Sequence, residues 1–376
     1  KLLDNLKQQN SNLEFKVLKP MNGNEKSFAK LENYEIHSYR YFFPLKFQDL
    51  SNKGIKPSLE INKFNIFKVF LLCISQFFSL LKLTILYKPD VIYCHWFLPQ
   101  VIITFLVSKI IKVKFIFTSH GSDVLLLNNL GKAGSNIVRI VTNSAYKYSA
   151  VSSLVMNEIN KNLNINNNNS KVIPMGLDNR FYEMSFKKKI KTGKIKFLYI
   201  GRLIDYKGVD ILLNSLALYK DTNNNFQLDI LGTGTYLNEL KNLSGNLGLD
   251  EHVNFAGFKS FNQKTKYIEE CDLIIIPSKV KKGQIEGGPL TLVEGMSMGK
   301  VCIVSNSIGF IEHCNNGNSI IFESGNSESL LKAILKFESL TDLERNKLSS
   351  SAKKMSNKFS FEEIGRKHNE FFFGNE

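Results

Sequence analysis

The chain is poor in cysteine, arginine, tryptophan and closely spaced acids. Its five cysteines, Cys73, Cys94, Cys271, Cys302 and Cys314, are scattered and form no CxxC pair. That spacing excludes a disulfide framework and a zinc knuckle, and it suits a reducing, cytoplasmic compartment. Only six of the 49 basic residues are Arg. Base readout leans on bidentate Arg, and no zinc finger, basic heptad helix or RNA-binding aromatic signature is present, so nucleic acid is not an expected partner. No Asp-x-Asp pair and no His/Cys cluster occurs, so no metal and no other cofactor is expected. Long hydrophobic runs are also lacking. The most apolar stretch, Val69–Leu81, is bounded by Lys68 and Lys82 and interrupted by Ser75 and Gln76. It falls short of the ~20 residues that a spanning helix needs and reads as a buried helix in preference to a surface-lying one.

What is present is an ordinary globular composition: 376 residues, 43% hydrophobic and 22% charged. That length allows two or three domains, each with its own core. The net charge of +15 is uneven, because residues 1–185 hold 23 basic and 12 acidic side chains against 26 and 22 in residues 186–376. A basic front half suits an anionic membrane surface or a phosphorylated substrate. At the start, Leu2, Leu3 and Leu6 share a helical face and Leu13–Leu18 reads as a strand. We expect an α/β chain entered at its first helix, with an opening strand and turn preceding it.

Short β-branched or aromatic runs then alternate with helical patterns. The strand candidates include Val91–Cys94, Lys114–Thr118, Tyr148–Ser152, Lys171–Pro174, Lys196–Gly201, Gln227–Gly232, Val253–Ala256, Asp272–Pro277 and Val301–Ser305. Helical patterns include Gly208–Lys220, Tyr236–Leu247, Pro289–Met298 and Glu328–Phe337. Such alternation predicts parallel sheets covered by helices. The lysine-rich stretch 187–194 reads as a linker. The expected organisation is a first domain over 1–185, a second over 186–356 and a terminal helix within 357–376.

Two turns carry the chemistry. Glu286-Gly-Gly-Pro-Leu-Thr-Leu-Val-Glu294 brackets a Gly-Gly-Pro turn that opens a helix. Gly287 and Gly288 would let a ligand approach the backbone, Pro289 suits a first helical turn, and the free N–H groups of a helix N-terminus form an anion site. Gly201-Arg202-Leu203-Ile204-Asp205-Tyr206-Lys207-Gly208 also follows an apolar strand and places one Arg and one Lys on a turn. Ligands of open α/β sheets bind at the carboxyl ends of strands, where both turns lie.

These residues resemble a retaining glycosyltransferase of the GT-B class, the group called glycosyltransferase family 4. The Glu-x7-Glu segment, Gly-Arg-Leu…Lys-Gly, Val253-Asn-Phe-Ala-Gly257, Pro277-Ser278 and Gly309-Phe-Ile-Glu-His313 fall in family order. The front half adds His95-Trp96-Phe-Leu-Pro99-Gln100, Thr118-Ser-His120-Gly121-Ser-Asp123, Val151-Ser152 and Ile173-Pro-Met-Gly-Leu-Asp178. The resemblance covers about residue 88 to the end. It implies an α/β GT-B fold, with two Rossmann-like parallel-sheet domains facing a cleft and a C-terminal helix crossing back to the first. It implies a hexosyltransferase-type enzyme that moves sugar from a nucleotide-diphosphate-sugar to a glycan or polyprenyl-phosphate-linked acceptor, in cell-surface polysaccharide biosynthesis. By the same resemblance Arg202 and Lys207, with Gly201, hold the diphosphate, and Glu294 accepts from the ribose. Glu286 sits at the donor sugar, Gly287 to Leu290 supply backbone amides, and His120 reaches the sugar from the front domain. Phe361–Phe373 matches the terminal helix. Met175 stands where Asn is more usual.

The remaining candidates read more plainly. Gly232-Thr-Gly234 begins a dinucleotide fingerprint but has Leu237 where the third glycine belongs, so a strand-to-helix turn is expected. His37, His252 and His368 read as surface residues, Lys279–Ile285 as a solvated charged loop, and Trp96 as an acceptor platform. With no metal, Arg202, Lys207 and the helix dipole would stabilise the leaving diphosphate, and retention could use front-face attack. The alternatives are another GT-B activity, a nucleotide-sugar epimerase or soluble-acceptor synthase, and a non-catalytic, membrane-associated binding protein. The basic front half and its lysines, Lys63, Lys68, Lys82 and Lys88, predict a peripheral protein on the inner face of the plasma membrane.

Overall fold

The computed structural model describes residues 1–376 except 23–24, 49, 51–54, 56–57, 60–61, 63, 129, 162–168, 185–192, 282–283 and 375–376. The chain divides into two units: unit 1 comprises 1–150, 159–171 and 365–376, and unit 2 comprises 151–158 and 172–364. The expected boundary at 185 and most of the lysine-rich linker lie outside the described residues. Residues 172–184 count with unit 2, where Leu177 bridges Ser360 and the Phe181 ring is buried in the core.

Unit 2 holds one six-stranded sheet: β8 (Ile195–Ile200), β9 (Phe226–Leu231), β10 (Val253–Gly257), β11 (Leu273–Ile276), β12 (Val301–Ser305) and β13 (Ile320–Phe322), ordered β10-β9-β8-β11-β12-β13. Its pairings are parallel. Strand side chains alternate between two cores. Phe197, Tyr199, Leu273, Ile275, Val301 and Ile303 enter one, while Leu198, Ile274, Ile276, Cys302 and Val304 enter the other. A period-2 strand that is apolar on both faces must be covered on both faces, as Leu273–Ile276 led us to expect. The chain runs outward from β8 to β10, then returns to the other side of β8 with β11. The switch point of a doubly wound sheet therefore lies between β8 and β11, where the carboxyl ends of adjacent strands diverge.

Unit 1 carries two smaller sheets. One has β1 (Phe15–Pro20), β2 (Phe28–Lys30) and β3 (Tyr34–Tyr39) in the order β1-β3-β2, with β2 antiparallel. The other orders β4 (Val91–His95), β5 (Lys114–Ser119), β6 (Lys147–Ala150) and β7 (Ser170–Val172) in sequence. Parallel registers join β4 to β5 and β5 to β6. Strands β2, β3 and β13 were not anticipated.

The helices, in chain order, begin with α1 (Leu2–Gln9), α2 (Asn65–Tyr87), α3 (Ile102–Ile111), α4 (Ser122–Asn128) and α5 (Gly131–Ser144). They continue with α6 (Ser153–Asn160), α7 (Arg180–Glu183), α8 (Val209–Lys220), α9 (Leu237–Asn246) and α10 (Phe261–Glu270). The last are α11 (Leu290–Ser297), α12 (Ser327–Ser339), α13 (Asp342–Ser356) and α14 (Phe361–His368). Helix α14 begins in unit 2, and its end belongs to unit 1, where His368 packs on Tyr93 and Phe372.

Three expectations are corrected. Helix α2 is longer than the apolar run suggested and lies on the surface: only 17% of its most apolar window is buried, and by length and composition alone it could cross a membrane. His252 is buried, stacked on Phe226 with its Nδ1 3.2 Å from the Phe226 carbonyl oxygen. His368 is buried too, because both rings fill aromatic clusters that only the tertiary fold assembles.

Candidate functional site

The switch point of unit 2 collects the two turns singled out in the sequence. β8 ends at Ile200 and leads through Gly201-Arg202 to a 3₁₀ turn at Asp205–Lys207. Gly208 closes it with φ 70°, and a Cβ there would overlap the Pro277 carbonyl oxygen at the end of β11. Only glycine fits both demands, left-handed backbone and close approach. The turn is thereby pressed against the end of the neighbouring strand, which sets the position of Lys207.

Lys207 forms an ion pair with Glu286. The same Glu286 oxygen, Oε2, accepts a hydrogen bond from Ser278 Oγ at 3.2 Å, and the Glu286 carbonyl accepts from the Gly309 N–H at 2.6 Å. Glu286 is buried, so three groups compensate its removal from water. Behind it, burial and the Glu286 carboxylate hold the Tyr199 phenol well above its ordinary value. Tyr199 thus stays a neutral donor, and it donates to the Arg202 carbonyl at 3.0 Å. The Arg202 guanidinium donates to Tyr206 Oη at 3.2 Å.

Helix α11 starts just beyond, with Pro289 as its N-cap residue and not its first helical one, and no side chain caps its first turn. Orphan N–H groups and the dipole make such a terminus favourable to anions. Glu294, the fifth residue of α11, is buried and paired with Lys264 of α10 at 2.7 Å. Gly288 owes its identity to packing: a Cβ there would come within 2.7 Å of Phe310 Cζ. Phe310 itself sits at φ 75°.

Lys279 corrects the solvated-loop reading. Its ammonium is 2.8 Å from Asp205 and 2.7 Å from Asp210, its backbone N–H donates to the Tyr206 carbonyl at 2.8 Å, and Lys281 also pairs with Asp205. The loop after β11 is tied to the turn after β8. Sequence reading missed Tyr199, Ser278, Lys264 and Lys279. Their partners lie between 3 and 74 residues away, and of them only Ser278 fell inside a recognisable motif.

His120 belongs to unit 1. It follows β5 directly, as His95 ends the adjacent strand β4. His95 Nδ1 lies 3.2 Å from His120 Nε2, and the Trp96 ring stacks on His120 at 4.7 Å between centroids. Trp96 holds φ 72°, a strained setting for a bulky residue, and its side chain is about half exposed. Burial, then the neighbouring His120 and His368, lowers His95 to about 3. Burial and His368 lower His120 to about 4. Both imidazoles are neutral near pH 7, and one ring of the pair donates to the other.

Comparison with known proteins gives this geometry a family. Residues 36–181 match the family described as Glycosyltransferase Family 4, and residues 181–355 match Glycosyl transferases group 1. An uncharacterized glycosyltransferase of Methanocaldococcus jannaschii is 30% identical over 275 residues, covering 73% of this chain and 72% of the relative. The amylovoran biosynthesis glycosyltransferase AmsK of Erwinia amylovora is 25% identical over 169 residues, 44% of this chain and 41% of the relative. Among solved structures, HepE of Anabaena in complex with UDP and glucose superposes with a TM-score of 0.66 at 18% identity, covering 89% of this chain and 85% of that one. Its two Rossmann-like sheets have the GT-B fold, and the chain belongs to the group 1 glycosyltransferases, a family that includes enzymes of polysaccharide biosynthesis.

Proposed function

We propose that the enzyme transfers a sugar from a nucleotide-diphosphate-sugar to a lipid-linked glycan acceptor, with retention, at the cytoplasmic face of the membrane, in building a cell-surface polysaccharide. The observation that carries the donor half is the pairing of Lys207 with Glu286 at the β8/β11 switch point, beside the start of α11. HepE was solved with UDP and glucose. In this reading Lys207 and Arg202 take the diphosphate, Glu294 the ribose, Glu286 the sugar near its anomeric carbon, and His120 the sugar from unit 1.

The chemistry follows from charge. Breaking the sugar–phosphate bond puts negative charge on the leaving diphosphate and positive charge on the sugar. Lys207, Arg202 and the α11 terminus stabilise the first, and loss of one such fixed donor costs about 2.7–4 kcal/mol by analogy with oxyanion sites. Glu286 lies where positive charge would develop. Front-face attack, with the phosphate accepting the acceptor's proton, gives retention without a second carboxylate opposite the leaving group. Because protein cations are already in place, diphosphate binding needs no metal. Free cysteines, two of them half-buried, suit a reducing compartment.

The test is a thermal-shift panel of nucleoside diphosphates and nucleotide-sugars with and without EDTA. UDP or another diphosphate at 100 times its Kd should stabilise by about 2.7 kcal/mol, equally in EDTA. Loss of the shift on chelation would overturn the metal-free reading. Turnover of the donor without any acceptor, to an isomeric sugar nucleotide, would overturn transfer in favour of epimerisation.

A further inference from the structure

Helix α2 is built inside out. Its buried side chains include Lys68, Gln76 and Thr84, with Leu72 the apolar exception. Lys68 lies over the Phe42 and Phe47 rings, Tyr39 Oη donates to Gln76 at 3.4 Å, and Ser75 bonds the Arg40 carbonyl. The opposite face carries Phe67, Phe70, Ile74, Phe78 and Ile85, all exposed, Phe70 at 59% and Phe78 at 62%. Their spacing of three, four, four and seven keeps them on one stripe of a 3.6-residue helix. Helix α3 packs beside α2 and exposes Leu106 and Ile110. A folded chain normally turns this pattern the other way, and an exposed apolar stripe five side chains long marks an interaction surface.

The rim says what covers it. Lys82 and Lys88 on α2 and its C-cap, with Lys109 and Lys112 on α3 and its C-cap, are exposed. From residue 65 to residue 149 the chain carries nine Lys or Arg against two Asp, Asp90 and Asp123. Two copies meeting through this face would bring like charges together. A bilayer with anionic headgroups offers apolar depth for the stripe and opposite charge for the rim, the arrangement of an interfacial amphipathic helix. The polar flank of α2 packs on protein, so the helix lies along the surface and does not span it.

We propose that the outer faces of α2 and α3 form a membrane-docking surface for anionic phospholipid, with the aromatic stripe inserted at the headgroup boundary. This rests on the lipid-linked-acceptor reading and names where the enzyme meets that acceptor's bilayer. It revises the lysine set expected from sequence: Lys68 is buried, and Lys63 lies outside the described residues.

The full chain should sediment with phosphatidylglycerol-containing vesicles at low salt, be released at high salt, and leave pure phosphatidylcholine vesicles unbound. Each Lys→Gln change at Lys82, Lys88, Lys109 or Lys112 should lower partitioning about fivefold. Phe70→Ser with Phe78→Ser should lower it at least as much. These side chains are mostly exposed, so the variants should keep the wild-type melting temperature and the wild-type UDP shift. Equal binding to both vesicle types, no binding to either, or variants that bind like wild type would overturn the proposal. A solution dimer that Phe70→Ser/Phe78→Ser dissociates, without vesicle binding, would also overturn it and assign the face to a second copy. A UDP shift without vesicle binding sinks the docking surface alone; vesicle binding without a UDP shift sinks the donor reading alone.

Discussion

At the residue scale the site rests on paired charges. Glu286 and Glu294 are both buried, and each is neutralised by one lysine, Lys207 and Lys264. Removing one partner of a buried pair strands the other charge, at a cost of about 3–5 kcal/mol. Lys207→Ala should therefore lower the unfolding free energy of the ligand-free enzyme as well as diphosphate affinity, while nucleoside affinity stays near wild type. Adding Glu286→Gln should restore most of the stability and none of the diphosphate affinity; denaturant unfolding and calorimetric titration of both variants check this. Sequence showed Glu286, Glu294, Arg202 and Lys207 because motif order carries them. It could not show Lys264 or Lys279, lysines among many, whose meaning comes only from acids 30 and 69 residues away. The buried histidines give a second prediction. His95 and His120 are depressed to about 3 and about 4 in the fold, below an ordinary value of 6.5. The unfolded chain thus binds protons that the folded one refuses. Their contribution is whole above pH 6.5 and is lost as pH falls through about 4, at up to about 1.4 kcal/mol per pH unit for each imidazole. Tyr93, Trp96 and His368 face the pair, and His368 adds to the cost of charging either imidazole. Urea unfolding at pH 7 and pH 5 should show the loss, and His120→Gln should flatten it.

At the element scale, legibility followed periodicity. β11 and β12 alternate into two cores, and their apolar runs announced this. β2 and β3 escaped because Phe28–Lys30 and Tyr34–Tyr39 mix charged and aromatic residues on a sheet that is only partly buried. Helix α2 was misjudged for a different reason. Apolar content in a sequence reads as burial, whereas in this helix the apolar face is the one left outside and the polar one is satisfied by protein. The β8–α8 connection shows what a single position can decide. Gly208→Ala would demand both a left-handed alanine and a Cβ overlapping the Pro277 carbonyl. The turn would have to lift from β11, carrying Lys207 away from Glu286. We expect a loss of about 2–3 kcal/mol in the stability of unit 2, from the strain class of substitutions. Diphosphate affinity should fall by at least tenfold. Unchanged affinity in a destabilised Gly208→Ala protein would show that the glycine serves packing alone.

At the scale of the whole molecule the two units are unequal. Unit 2 closes one six-stranded sheet between two cores, whereas unit 1 has its strands in two smaller sheets and leaves the apolar stripe of α2 exposed. Less apolar burial means less stabilisation, so unit 1 should melt first and separately, as domains with their own cores often do. The only tryptophan of the chain, Trp96, belongs to unit 1 and reports on it. Tryptophan fluorescence should therefore give a lower midpoint than far-UV circular dichroism, which follows both units. The proposed diphosphate ligands, Arg202, Lys207 and the start of α11, all belong to unit 2. UDP at 100 times its Kd should raise the late dichroism transition by the equivalent of about 2.7 kcal/mol and leave the fluorescence midpoint nearly in place. A fluorescence midpoint that rises in step with the dichroism transition would show that the units unfold as one cooperative body, with nucleotide affinity distributed through both.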